Sequence, residues 1–219
     1  MKAVVRGTVV AAALVLALTG CEEDGSPAAK SVAPPVPGES EQVPVPSQTV
    51  WLDPTGLMNA LPVESNVGDA FVGDDAEMVQ GADAVQHCAK ESGAACAGLA
   101  AAGLKEMEAR GSADETRVEF TLYSFETAAQ AGTVMKGLAD TERKASAEYG
   151  DPAKPVTVSS GADETDAFQD GDAAKAVMRI GTVVAYVYTT ETEPADLEHV
   201  TKLQVDRVKT VAAGKNPGY

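Results

Sequence analysis

The sequence predicts a single α+β domain, in which helices pack on one face of an antiparallel sheet, after a signal peptide and a disordered linker. Two runs, Arg117–Phe125 and Ala173–Ile180, alternate apolar and polar residues, which is typical of half-buried strands. After Gly181, the run Thr182–Thr190 is apolar on both faces, as in a central strand. Between the runs, Glu126–Ala147 carries the apolar stripe of an amphipathic helix.

The first twenty residues are organised as an export signal. Lys2 and Arg6 precede the uncharged run Gly7–Gly20, which is rich in Val, Ala and Leu. This run holds 14 residues, fewer than the roughly 20 that a transmembrane helix needs. Residues 1–20 are therefore predicted to be a cleaved signal.

The residues that close this leader read Leu18-Thr19-Gly20-Cys21, which resembles the lipobox of bacterial lipoproteins. In that family the cysteine receives a diacylglyceryl group, and the signal is cut just before it. The resemblance implies that Cys21 is acylated, with palmitate among the expected fatty acids. Membrane lipid would then hold the chain on the outer face of the plasma membrane. The alternative is an ordinary secretory signal with an unrelated cysteine.

Net charge limits the classes of partner. Without residues 1–20 the chain keeps 15 Lys and Arg against 33 Asp and Glu, a formal charge of −18. Nucleic acid is excluded as a partner, because phosphate binding needs cationic contacts. An electrostatic grip on anionic lipid is disfavoured for the same reason, and a solvated acidic surface explains most of these charges.

Composition divides the mature chain. Residues 21–48 are predicted to be a lipid-anchored, Pro-rich acidic linker, since they contain six of the 12 prolines and no apolar periodicity. Such a linker would reach roughly 30 to 80 Å. Residues 49–214 are long enough for one ordinary core, and residues 215–219 form a C-terminal tail.

The chain has three cysteines, an odd number that acylation of Cys21 would resolve. Cys88 and Cys96 then remain as a pair, and export favours a disulfide between them. A metal site is the alternative, but the two histidines, His87 and His199, do not give finger-like ligand spacing.

In the first half of the domain, Asp53-Pro54 is predicted to begin a helix. Val63–Gly81 is interpreted as loops or a short edge strand. Asp83–Glu91 and the Ala-rich Ala94–Arg110 are predicted to be two helices. The predicted disulfide would clamp the turn between them.

In the second half, Val156–Ser160 is predicted to be a strand, and Pro194 and Gly214 frame a closing helix. The stretch Asp163–Asp172 is interpreted as an acidic bend around Phe168. A Ca²⁺ site is possible there, but the spacing does not fit an EF-hand loop, so a solvated turn is favoured and no metal site is predicted.

A family resemblance comes from the order of these elements. The strand Val118–Leu122 with an Ala-rich helix, then Met178–Val184 with a final amphipathic helix, is similar to the extracellular sensor domains of PknH-type actinobacterial kinases and to lipoproteins built on the same plan. The resemblance covers roughly residues 51–214. It implies a sheet backed by helices, with a cleft suggested to hold a ligand and no assigned catalytic residues. The kinase domain carries two disulfides, whereas this chain can form one.

The motifs do not indicate an enzyme or a cofactor. The sequence has no Gly-x-Ser-x-Gly elbow, no His-Glu-x-x-His and no phosphate-binding glycine loop. We therefore expect a non-enzymatic ligand-binding or sensing module for an unknown small molecule or membrane protein partner. The alternative is a structural accessory subunit that docks on a membrane complex or the cell wall. A two-lobed solute-binding protein is disfavoured by the length of the domain.

Tyrosines mark the expected cleft. Because both faces of Thr182–Thr190 are apolar, one face must meet helices and the other must be covered or form a pocket. Tyr186 and Tyr188, with Tyr123 on the neighbouring strand, are predicted to border it, since tyrosine combines an apolar body with a polar tip. The alternative is that they finish the edge of the core or lie in solvent.

Overall fold

The computed structural model describes residues 50–111, 116–150, 152–190 and 194–218, without the side chains of residues 194 and 195. All of these residues belong to one compact unit. The predicted signal peptide, acylated Cys21 and linker lie outside the described residues. No helix in the described ranges is long and apolar enough to cross a membrane.

An antiparallel sheet of eight strands forms the centre of the described structure. The strands are β1 (Phe71–Gly73), β2 (Glu77–Gln80), β3 (Leu99–Ala109), β4 (Arg117–Phe125), β5 (Lys154–Pro155), β6 (Glu164–Asp170), β7 (Ala173–Ile180) and β8 (Val183–Thr190). Their order across the sheet is β1-β3-β4-β8-β7-β6-β5, and β2 also pairs with β3. The predicted central position of β8 is thus confirmed.

Helices cover both faces of this sheet. They are α1 (Pro54–Ala60), α2 (Glu64–Val67), α3 (Gly81–Ser92), α4 (Ala128–Glu148) and α5 (Pro194–Ala212). Helices α1 and α5 contact each other and the sheet, and α3 and α4 form a second such pair. The two pairs lie on opposite faces, because they pack on different apolar clusters. The α+β class with an antiparallel sheet is confirmed, but the prediction of helices on one face is wrong.

The alternation of β4 separates the two clusters. Val118, Phe120 and Leu122 belong to the cluster under α1 and α5, which we call the first face. Tyr123 belongs to the cluster under α3 and α4, which we call the second face. Because β4 is buried on both faces, the sheet needs a layer of helices on each face, and the single predicted layer would leave one apolar face uncovered.

Strands β4 and β7 have the predicted bounds. Helix α4 runs from Ala128 to Glu148, where Glu126–Ala147 was predicted, and it begins after Thr127, whose hydroxyl accepts a hydrogen bond from the Gln130 amide. The β7–β8 turn requires glycine, because Gly181 has φ of 60°. A Cβ there would also lie 2.5 Å from the Val50 carbonyl oxygen. The start of the domain therefore packs on this turn.

The predicted helix Ala94–Arg110 is wrong, because most of this segment is strand β3. Its many alanines favour a helix locally. In the fold, however, β3 pairs with β1, β2 and β4, and such pairing outweighs local propensity. Ala101 and Ala102 are both fully buried, one on each face. The disulfide consequently joins α3 to the connection before β3, and it does not lie between two helices.

Two further predictions are corrected on the far side of the sheet. Residues 156–160 do not form a strand. The strand in this part of the chain is β5, Lys154–Pro155, which pairs with β6. The predicted acidic bend is mostly strand β6, with Phe168 fully buried. Its acidic side chains are accommodated by cations, since Asp166 pairs with Arg143 and Asp170 pairs with Lys175.

The closing helix is confirmed as α5, and it buries three polar side chains, Thr201, Gln204 and Arg207. Arg207 donates to the Asn66 side-chain oxygen at 2.7 Å and to the Gly218 carbonyl oxygen at 3.1 Å. The predicted C-terminal tail therefore contacts the domain.

Candidate functional site

The second face of the sheet is apolar at one end and charged at the other. Strand register places five side chains in one row across β3, β4, β8, β7 and β6: Glu106, Glu119, Tyr188, Lys175 and Phe168. The row lies beyond the apolar cluster under α3 and α4. Pairing between distant strands thus brings charges together that are far apart in the sequence.

An acidic groove of about 190 Å³ lies beside this row. Its walls come from the β1–β2 connection, the start of β2, and strands β3 and β4. They are formed by Asp74, Asp75, Glu77, Leu104, Lys105, Glu106, Glu119, Phe120 and Thr121. Lys105 does not neutralise this groove from within, because its ammonium group donates to Glu64 at 2.8 Å and to the Asp74 carbonyl. Five carboxylates and one engaged ammonium leave the groove negative.

Arg117, the first residue of β4, links the groove to the row. Its guanidinium lies 3.1 Å from the Glu106 carboxylate and 3.0 Å from that of Glu119. It also lies 5.7 Å from the centre of the Tyr188 ring. Partial burial lowers the pKa of Arg117, but Glu119 and Glu106 outweigh this effect and raise it.

Glu119 lies where the charges are most concentrated. Burial raises the pKa of its carboxyl group, and the negative charges of Glu106 and Glu142 act in the same direction, against the opposing effect of Arg117. A carboxylate in this position is only partly compensated. An added cation would therefore be stabilised there.

A second polar network lies next to the groove, under the end of α4. Lys175 is 3.1 Å from Glu142 and 3.0 Å from Asp170. Burial, followed by the charges of Glu142 and Glu119, raises the pKa of the Tyr186 hydroxyl. Burial lowers the pKa of Lys175, but its two carboxylate partners raise it overall. The network holds the Lys175 ammonium group between two carboxylates in a mostly buried place.

The three predicted tyrosines occupy different environments. Tyr123 is 2% exposed in the apolar cluster, with its ring centre 6.3 Å from that of His87. Tyr186 is half-buried at the edge of that cluster. Tyr188 is half-buried, with Arg117 and Lys175 each 5.7 Å from its ring centre. None of the three lines the acidic groove, so their contact with a ligand stays a prediction.

The groove residues were not found from the sequence. The sequence predicts a helix at Glu106, so it gives no indication that Glu106 pairs with Glu119 between β3 and β4. Asp74 and Glu77 belong to a segment that was interpreted only as loops or edge strand. The alternation of β4, which puts Glu119 opposite the apolar face, was the one available signal.

Cys88 and Cys96 form the predicted disulfide, with their Cα atoms 6.1 Å apart. Both are buried on the second face. Within the described ranges no group of three or more His, Cys, Asp or Glu side chains is placed to hold a metal ion. In the stretch predicted to be an acidic bend, Asp163 accepts a hydrogen bond from the Gly181 amide at 2.7 Å.

The fold is similar to that of the extracellular domain of PknH from Mycobacterium tuberculosis. The TM-score is 0.51 at 14% sequence identity, over 74% of this chain and 98% of the PknH chain. Neither a protein-family model nor a curated protein matches the sequence. At this identity the likeness to PknH establishes the fold alone, and it confirms the predicted sensor-like architecture at that level.

Proposed function

We propose that this chain is a non-enzymatic, extracytoplasmic binding or sensing module, held on the outer face of the plasma membrane by an acylated Cys21. The leader and the Leu-x-Gly-Cys sequence support the anchor. The PknH extracellular domain, which has a similar fold, supports a sensing role by analogy. The observation that carries the binding function is the acidic groove beside Glu119.

The groove favours a small ligand with a positive charge. Its acidic residues come from four parts of the chain, the β1–β2 connection and strands β2, β3 and β4. Arg117, held between two carboxylates and a tyrosine ring, shows which chemistry these walls accept. A primary ammonium or guanidinium group on a short chain fits a space of about 190 Å³.

Docking as an accessory subunit is the second candidate. Such a role would be favoured by a broad exposed apolar patch. Among the described residues, the large apolar side chains that are exposed are Trp51 and Tyr149. The groove therefore supports ligand binding better than docking.

The binding proposal can be tested on the chain without residues 1–20 and with Cys21→Ser. Calorimetric titration with spermidine and with a lysine-rich pentapeptide should show binding, whereas citrate should show none. Glu119→Gln should weaken binding about tenfold, because it removes a half-buried charge, and Glu106→Gln about threefold, because the Glu106 side chain is 51% exposed.

Asp206→Asn is the matched control, since it removes one charge from an exposed pair with Lys202 on α5. It should leave affinity within about twofold. An equal loss with Asp206→Asn would mean that the net charge of the chain attracts cations without a site, and the groove proposal would fail. Failure of both cations to bind would have the same consequence.

The anchor is tested separately in a bacterial host. Cys21→Ser should release the protein to the medium or leave it unprocessed. Acylated, membrane-bound Cys21→Ser protein would contradict the assignment.

A further inference from the structure

The side chains that helix α4 buries change from apolar to polar along its length. In its first part the residues buried against the sheet are apolar, namely Ala131, Val134, Met135, Leu138 and Ala139. After Ala139 the buried residue is Ser146. The last two turns, residues 141–148, therefore dock through different chemistry from the rest of the helix.

These last turns dock mainly through ions. Glu142 pairs with Lys175 at 3.1 Å, and an Arg143 nitrogen donates to Asp166 at 2.6 Å. The Ser146 hydroxyl donates to Asp170. The large apolar ring beneath them is Phe168, and the Arg143 guanidinium covers it at 4.5 Å from the ring centre.

One oxygen under this segment is unsatisfied in the closed arrangement. The Asp170 side chain is 9% exposed, and its Oδ1 atom has no hydrogen-bond partner among the described residues. A buried acceptor without a partner destabilises the state that buries it. Water would satisfy this oxygen as soon as the segment moved away.

Opening the two parts of α4 therefore has unequal costs. Separating the first part would expose Val134 and Leu138 to water, which is opposed by the hydrophobic effect. Separating the last turns would exchange ion pairs for hydrated charges, which is close to neutral because burial had already cost desolvation. Exposure of Phe168 is the main opposing contribution.

The segment is also connected to the groove. Thr121 and Glu119, which line the groove, pair between β4 and β8 with Tyr186 and Tyr188. Lys175, which lies 3.1 Å from Glu142, follows Tyr188 in the same row. Movement of the segment would extend the groove over Tyr186 and Lys175.

We propose that residues 141–148 of α4 are a lid, closed over the charged end of the second face by ion pairs and opened when those pairs are screened or lost. Opening of the lid enlarges the site next to the groove, and this purpose rests on the proposed function. Its movement needs no ligand, so it can be tested without one. Failure of the lid and failure of the groove are then distinguishable.

The test is amide hydrogen exchange of the full chain, without ligand, in 0.05 M and 1 M NaCl at the same pH. An undocked helix end of two turns is marginal in water, so its amides exchange. In 1 M salt the Debye length is about 3 Å, which screens the one-third exposed Arg143–Asp166 pair, whereas the buried pairs of Lys175 are screened much less, so exchange at residues 143–148 should rise about threefold. Exchange at residues 134–139 should change less than about twofold, because apolar contacts are not screened.

The end of α5 is the matched control, because Val205 and Val208 there are fully buried in an apolar cluster. Glu142→Gln removes the ion pair between the lid and Lys175 with little change in shape, and it should raise exchange at 143–148 in low salt at least to the high-salt level. Lys202→Met, at an exposed pair on α5, should not. The lid fails if salt changes both helix ends equally. It also fails if salt and Glu142→Gln both leave 143–148 as protected as 134–139.

Discussion

The two faces of the sheet are built from the same strands, but they are stabilised in different ways. On the first face, twenty-one buried apolar residues of the described ranges form one cluster. On the second face the cluster has thirteen, and charged side chains take over beyond it. The first face therefore supplies most of the hydrophobic stabilisation, whereas the second face combines a smaller core with groups that can meet a ligand.

The largest expected effect lies on the first face. Phe120 is fully buried there, and Phe120→Ala should lower the free energy of unfolding by about 4 kcal/mol through lost burial and a cavity. Urea denaturation measures this change. If Glu119→Gln on the same strand cost as much, the proposed division between the faces would be wrong.

Lys175→Met should rank next. This change leaves Glu142 and Asp170 buried without their cation, and breaking a buried pair from one side costs about 3 kcal/mol. Urea denaturation of the Glu142→Gln, Lys175→Met double variant should recover part of the loss. A cost below about 1 kcal/mol for Lys175→Met would show that the network is effectively solvated.

Removing the disulfide should have a somewhat smaller effect. Cys88 and Cys96 are eight positions apart, and loop-closure entropy for so short a loop is worth about 2.5 kcal/mol. The double change to Ser should lower the melting temperature, and dithiothreitol should lower that of the native chain similarly while leaving the variant unchanged. A dithiothreitol effect on the variant would contradict this prediction.

The smallest effect concerns pH at Glu119. Its pKa is raised in the folded state, so the folded chain binds more protons than the unfolded chain just above the ordinary value of 4.5. Native stability attributable to this residue should therefore fall as pH rises through that window, by less than about 1 kcal/mol. The stability difference between native chain and Glu119→Gln, measured from pH 4 to 7, should follow this course. A native chain that gained stability over the variant with rising pH would contradict it.

The local sequence pattern predicted those elements in which the spacing of apolar residues matches the side chains that the fold buries. Strands β4 and β7 alternate, and α4 carries its stripe, so their type and position followed from the sequence. β3 did not, because its alanines favour a helix and its strand state depends on three partners. The groove depends on register between β3 and β4, which no local pattern of Glu106 or Glu119 contains.

The attachment of the chain at Gly181 has a spectroscopic consequence. Val50 accepts a hydrogen bond from the Thr182 amide at 2.9 Å, and Leu52 accepts one from Ser124 at 2.6 Å, so the sole tryptophan, Trp51, lies at that end of β4 and β8. Glu119 is five residues further along β4, a separation of roughly 17 Å. Trp51 is 50% exposed, and its emission should respond to solvent at the attachment end. A ligand in the groove is too distant to quench it by contact. A shift in tryptophan emission on binding would therefore report a change carried through the sheet.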